Sequence, residues 1–242
     1  MTNLKILLIK NLNSFFIAIN LALILLALWF FQVSDVDLKI QNHFYNFTTQ
    51  TWLVDRNEPV KKLLFYQLPK ILLGGLILVV LIACLIGFLK KKNKFYNYRH
   101  QLLLTLIGLS LIPLIAGNVK KFTNIYCPSQ LTNFDGTKPY VKIFDSYEKG
   151  FVQEKKGQCF PAGHAVTGFA LYILAFVFAN KKLKYLSFFI ATILGWVLGF
   201  YQILKGAHFL SDTLIAMLLS LLIAQIIGNI FNKFHIGKLQ KN

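Results

Sequence analysis

Apolar runs of about twenty residues alternate along the chain with short polar stretches rich in lysine. A run of ~20 apolar residues is what an α-helix needs to cross roughly 30 Å of hydrocarbon. The pattern predicts six such spans, over about Ser14–Val33, Ile71–Leu89, Leu102–Val119, Pro161–Ala179, Leu186–Leu204 and Phe209–Phe231. Pro113 predicts a kink in the third, where neighbouring helices can satisfy the freed carbonyl. The fourth is the weakest, because it opens on Pro161, Gly163 and His164. Between the spans lie two longer segments, about 34–70 and 120–160, both expected on the outer face. The expected fold is therefore an all-α, six-span transmembrane helical bundle, with residues 1–242 as a single membrane domain. Lys5 and Lys10 ahead of the first run resemble a signal peptide. That run is too long and lacks a small-x-small cleavage site, so it reads as an uncleaved span.

Composition agrees with the pattern. Apolar residues make up 56% and charged residues 14%, against about 25% charged in an average soluble domain. A soluble or disordered chain is excluded, and three cysteines exclude a disulfide-dense scaffold. The net charge of +17 would suggest nucleic acid in a soluble protein. Its distribution argues otherwise. With the N-terminus in the cytoplasm, Lys5, Lys10, Lys90, Lys91, Lys92, Lys94, Arg99, Lys181, Lys182, Lys184, Lys233, Lys238 and Lys241 fall inside with no acidic residue. The other thirteen basic residues and all nine acids fall outside, an excess of +13 against +4. That asymmetry is the positive-inside signal of a multi-pass membrane protein. Both termini are thus expected in the cytoplasm of a bacterial-type inner membrane, and nucleic acid is not expected as a partner. Trp29, Trp52 and Trp196 fit interfacial aromatic belts.

Ionisable residues kept near lipid point to function. Three places qualify, and six crossings bring all three to the outer face. At the outer end of the third span stand Lys120 and Lys121, followed by Cys127-Pro128. At the start of the fourth stands Cys159-Phe-Pro161-Ala162-Gly163-His164. Its first-turn N–H groups suit an anion, and His164 is placed to deliver a proton there. At the start of the sixth stands Gly206-Ala207-His208-Phe-Leu-Ser211-Asp212. The i,i+4 spacing of His208 and Asp212 lets the carboxylate hold one ring nitrogen and leave the other as a nucleophile or base. Together these groups can bind a phosphoryl group, attack it and protonate its leaving group. No carboxylate cluster for magnesium is present. The nearby lysines favour an anion over a zinc ion at His164, His208, Asp212 and a cysteine.

In this order the three stretches resemble the type 2 phosphatidic acid phosphatase family. That family includes the bacterial lipid phosphate phosphatases and shares its core with vanadium haloperoxidases and soluble acid phosphatases. Its first motif, Lys-x6-Arg-Pro, is matched by Lys120-x6-Cys127-Pro128. Its second, Pro-Ser-Gly-His, is matched by Pro161-Ala162-Gly163-His164. Its third, Ser-Arg-x5-His-x3-Asp, is matched by Tyr201-Gln202-x5-His208-x3-Asp212. The chain resembles a branch with Cys-Pro in the first motif and Gly-Ala-His in the third. The resemblance covers about 102–231.

It implies that His208 attacks phosphorus to form a phosphohistidine and that Asp212 orients it. His164 would protonate the leaving alkoxide and then activate water. Lys120 and the N–H groups of Ala162 and Gly163 would hold the phosphoryl oxygens, without a metal or other cofactor. Both family arginines are absent, and the only arginines are Arg56 and Arg99, the latter on the predicted inner side. Lys205, three residues from both Gln202 and His208, can face the same pocket beside Gln202 and Lys121. Cys127 and Cys159 lie beside the first two motifs on the predicted outer face. They read either as a disulfide or as two free thiols. Cys84 reads as packing, and His43, His100 and His235 match no motif.

The expected activity is hydrolysis of a phosphate monoester or diphosphate on a lipid headgroup held in the bilayer. Candidate substrates are lipid A, undecaprenyl diphosphate, phosphatidylglycerol phosphate and phosphatidic acid. Two rivals are a lipid-to-lipid phosphotransferase and a catalytically silent lipid-binding or transport protein.

Overall fold

The computed structural model describes residues 2–239, and side chains over 14–233. Its long helices follow the apolar runs. They are α1 (Thr2–Val33), α4 (Leu68–Leu89), α5 (Arg99–Thr123), α8 (Lys181–Leu204) and α9 (Leu210–Leu239). Between them lie the shorter α2 (Val36–Phe44), α3 (Pro59–Lys62), α6 (Gly163–Phe169) and α7 (Leu174–Val177). The only strands among the described residues are β1 (Tyr45–Asn46) and β2 (Thr51–Trp52), an antiparallel hairpin.

Five of the six expected spans are matched by helices of spanning length. Among the described residues, five helical stretches are long and apolar enough to cross a membrane: Ser14–Val33, Pro59–Leu89, Lys94–Gln130, Lys181–Leu204 and Leu210–Lys233. The run at 161–179 becomes a shorter broken helix, Gly163–Val177, with a 3-10 turn at Ala170–Ile173. At ~1.5 Å per residue it reaches about 22 Å, short of the roughly 30 Å core. Its apolarity has a different cause. Ala165, Val166, Phe169, Ala170 and Ile173 are buried among α4, α5, α8 and α9, so this helix meets protein rather than lipid. A Cβ on Gly168 would lie 2.4 Å from the Gly195 nitrogen, and that lack of side chains lets α6 seat against α8.

The second span also begins earlier than expected. Helix runs without a break from Pro59, through a π-helical turn at Leu63–Gln67, into α4. α5 likewise continues past Val119 to Thr123, where Asn124 ends it in the left-handed conformation. α1 packs on α9, where buried Asn20 donates to the Leu218 carbonyl and the Gln225 side chain, both at 3.2 Å.

The two segments expected outside pack against each other at one end of the bundle. Tyr45, Tyr126, Leu131, Phe134 and Phe209 form a buried cluster, with Trp52, Tyr140 and Tyr147 against it. Trp52 thus belongs to this cluster rather than to an interfacial belt. Trp196 donates to the Met217 sulfur at 3.2 Å and packs on α9, whereas Trp29 is exposed on α1. Cys84 is buried within α4. His235 lies outside the residues whose side chains are described.

Candidate active site

α9 opens on the His208–Asp212 pair, and the first outer segment fixes that opening. Asp37, on α2, accepts from the Ser211 N–H at 3.0 Å, and Gln41 donates to the His208 carbonyl at 2.7 Å. Both are buried. A carboxylate at a helix N-terminus satisfies an orphan donor and complements the helix dipole. Burial, first among its causes, pushes the Asp37 carboxyl up to about 7. Nothing in the local pattern around Asp37 or Gln41 marks this role, because their partners lie some 170 residues away in sequence.

His208 Nδ1 lies 3.0 Å from Asp212 Oδ2, which also accepts from the Phe209 N–H at 2.9 Å. That leaves His208 Nε2 for chemistry. Burial, then the charges of Lys120 and Lys205, hold the His208 imidazole well below its ordinary range and therefore neutral. Gly206 makes the turn into this residue. Its φ is +67°, and a Cβ there would lie 2.2 Å from the Trp52 ring.

His164 stands in the first turn of α6. Its ring centroid is 6.4 Å from that of His208 and 4.2 Å from that of Tyr66, whose ring tilts against it. Neither ring nitrogen of His164 has a partner. The π-helical turn at Leu63–Gln67 delivers Tyr66, in keeping with the frequent use of such turns at functional sites. Lys70 and Lys205 place their ammonium groups 4.2 and 5.1 Å from the Tyr66 centroid.

Lys120 comes from the last turns of α5. Its Nζ donates to the Gln158 carbonyl at 3.4 Å and lies 3.2 Å from where a Gly163 Cβ would stand, so it reaches the start of α6. Gln202 and Lys205 are both buried and both line the same cavity. Gln202 Nε2 has no partner. Burial, then Arg56, Lys62 and Lys70, push the Lys205 ammonium down to about 8.

Two expected phosphate contacts are corrected. The Ala162 N–H already donates to the Asp212 carbonyl at 3.0 Å, so the first-turn donors left for an anion begin at Gly163. Lys121 is exposed on the outer side of α5 and donates to Asn118 at 3.1 Å, away from the cavity.

Cys127 and Cys159 are joined in a disulfide, with Cα atoms 5.0 Å apart. Cys159 Sγ lies 3.3 Å from His208 Nδ1, so the bridge ties the first two motifs together directly behind the third. Cys159, His208 and Asp212 offer ligand atoms within 4.8 Å of one another, but the cysteine sulfur is already bonded to Cys127.

The cavity is open and holds about 990 Å³. Seven cations line it, namely Arg56, Lys62, Lys120, Lys138, Lys155, Lys156 and Lys205, against one acid, Glu154. Among the described residues none of the seven forms an ion pair with a carboxylate. Arg56 was not assigned from the sequence. The one available signal was that it is one of two arginines in the chain and the one on the predicted outer side. Arg99 stands at the far end of α5, about 32 Å from Lys120 at ~1.5 Å per residue.

A family model described as the PAP2 superfamily matches residues 100–236. Comparison with curated proteins finds no match. Among solved structures, the chain is similar to one described as the first transmembrane PAP2 type phosphatidylglycerolphosphate phosphatase from Bacillus subtilis. The identity is 16%, the TM-score 0.56, and the match covers 90% of this chain and 96% of that one. The likeness is one of fold.

Proposed function

The chain belongs to the PAP2 superfamily, and from that premise we propose that it is a metal-independent phosphatase acting on a phosphorylated membrane lipid. The carrying observation is the facing pair of imidazoles, His208 held by Asp212 and His164 with both nitrogens free, across a cavity lined with cations. In this reading His208 Nε2 attacks phosphorus. An N–P bond forms as the P–O bond to the lipid breaks. His164 gives its proton to the departing alkoxide and then takes one from water. The water oxygen bonds to phosphorus, the N–P bond breaks, and phosphate leaves. Lys120, Lys205, Gln202 and the Gly163 N–H hold the phosphoryl oxygens, where preorganised donors are most effective against developing charge.

The same reading puts the site on the extracytoplasmic face of a bacterial-type inner membrane, with both termini inside. The disulfide supports it, since such bonds persist in oxidising compartments. So does the concentration of lysines in the short loops of the opposite face. The short helix 163–177 serves in this topology as the sixth crossing, completed by the turn before α8.

The test is purified protein in detergent with lipid A, undecaprenyl diphosphate, phosphatidylglycerol phosphate and phosphatidic acid, assayed for free phosphate. Release is expected to survive EDTA, to be blocked by vanadate and to disappear in His208→Ala. Loss of release in EDTA, or a His208→Ala enzyme within about fivefold of wild type, overturns the mechanism. Phosphate that appears only on a second lipid marks a phosphotransferase.

A further inference from the structure

Two zones of different exposure make up the cavity. Its floor carries His208, Gln202 and Lys205, all buried. Its rim carries Arg56, Lys62, Lys155 and Lys156, all exposed, and half-buried Lys138. One phosphoryl group at His208 engages the floor and leaves the rim cations without a counter-ion. The volume of about 990 Å³ is also at the upper end of what a whole drug-sized ligand takes, roughly 300–1,000 Å³.

Arg56 is held rather than free. Its Nη2 donates to Ser129 Oγ at 2.5 Å, directly after the Cys127-Pro128 motif. Its turn is anchored by the Val54 N–H to the Leu204 carbonyl at 3.3 Å and by the Asn57 N–H to Asp55 at 2.8 Å. Ser129 is fixed in turn by its N–H to the Gly206 carbonyl at 2.8 Å. The guanidinium therefore sits on a braced turn from outside residues 100–236, and it meets no carboxylate. A planar fork in such a place suits a phosphoryl group better than a lysine does.

We infer that the rim is a second anion subsite, in which Arg56 binds a phosphoryl group of the lipid headgroup other than the one undergoing hydrolysis. This makes Arg56 a specificity-determining residue and selects headgroups that carry two phosphoryl groups. The inference rests on the proposed phosphatase reading for its lipid, but not for its anion chemistry, so the experiment has two arms.

The first arm measures binding of tripolyphosphate and of orthophosphate to the detergent-purified protein by calorimetry, with no turnover required. The second compares kcat/KM for diacylglycerol pyrophosphate and for lipid A with that for phosphatidic acid. In Arg56→Ala, the preference for tripolyphosphate over orthophosphate is expected to fall about tenfold, as for loss of one charge-assisted contact. The preference for a two-phosphoryl lipid falls by a similar factor, and which of the two lipids responds tells directly linked from separated phosphoryl groups. Arg56→Lys, which keeps the charge but loses the fork, falls between wild type and Arg56→Ala in both preferences, and Ser129→Ala loses about two- to threefold. Preferences unchanged within twofold in both arms overturn the subsite. So does an Arg56→Lys protein that loses as much as Arg56→Ala with a lowered melting temperature, which marks a structural role for the turn. If no lipid is hydrolysed at all but the first arm responds, the phosphatase reading fails and the subsite stands.

Discussion

Replacing Asp212 by asparagine separates charge from hydrogen bonding at His208, the proposed nucleophile. Oδ2 accepts from His208 Nδ1 at 3.0 Å and from the Phe209 N–H at 2.9 Å. An amide oxygen placed at the same point keeps both contacts and the volume. What disappears is the negative charge beside an imidazole that, in the proposed mechanism, becomes cationic when Nε2 bonds to phosphorus. Two unit charges about 4 Å apart interact by ~4 kcal/mol at an effective dielectric near 20. Each ~1.4 kcal/mol is a factor of ten in rate, so kcat is expected to fall about a thousandfold. The opposite amide orientation is worse still. It donates to Nδ1, moves the ring proton to Nε2 and removes the nucleophilic lone pair, as in a triad whose aspartate-to-asparagine change costs ~10⁴. KM should change little, because Asp212 is buried behind His208 rather than among the cavity-lining residues. The assay is steady-state phosphate release in detergent, with melting temperature as the control for folding. A variant with kcat within about tenfold of wild type and normal stability refutes the assigned role of the pair.

The disulfide closes a loop across a sequence separation of 32, worth about 3–4 kcal/mol in the chain-entropy model. Cys127→Ser with Cys159→Ser should therefore lower the melting temperature by roughly 10 °C. Phosphate release should fall too, since Cys159 lies behind His208. An unchanged melting temperature under reductant or in the double variant counts against the bridge. Lys205 gives a pH signature. Its ammonium is charged below about 8 and neutral above, so anion affinity is full at low pH and fades as pH rises through about 8. KM should climb between pH 7 and 10, and Lys205→Arg should flatten the climb because arginine stays protonated. Stability moves the other way, because the folded state holds the neutral amine more readily than the unfolded chain does. It should rise with pH from about 8 toward the ordinary lysine range. A wild-type KM that is flat to pH 10 excludes Lys205 from the anion site.

Much of this protein can be read without coordinates. Apolar run lengths mark the long helices, because a bilayer imposes that length on any chain that crosses it. The first run is the clearest case, since it ends at Val33 in the pattern and α1 ends at Val33 in the structure. The order of Lys120, His164, His208 and Asp212 is likewise visible, since spacing along a helix sets which groups share a face. The run at 161–179 is less legible, a broken helix over Gly163–Val177, because an apolar stretch records a dry environment without saying whether lipid or protein supplies it.

Only the tertiary structure decided which donors remain free for a ligand. Ala162 is spent on the Asp212 carbonyl, and Lys121 turns away to Asn118. It also brought in Asp37, Gln41, Arg56 and Tyr66, from a segment whose local pattern carries no chemical signal. Helical periods and motif spacings report neighbours a few residues apart. This cavity is made by side chains as far apart in sequence as Arg56, Lys120, His164 and His208, and their meeting depends on how the helices pack.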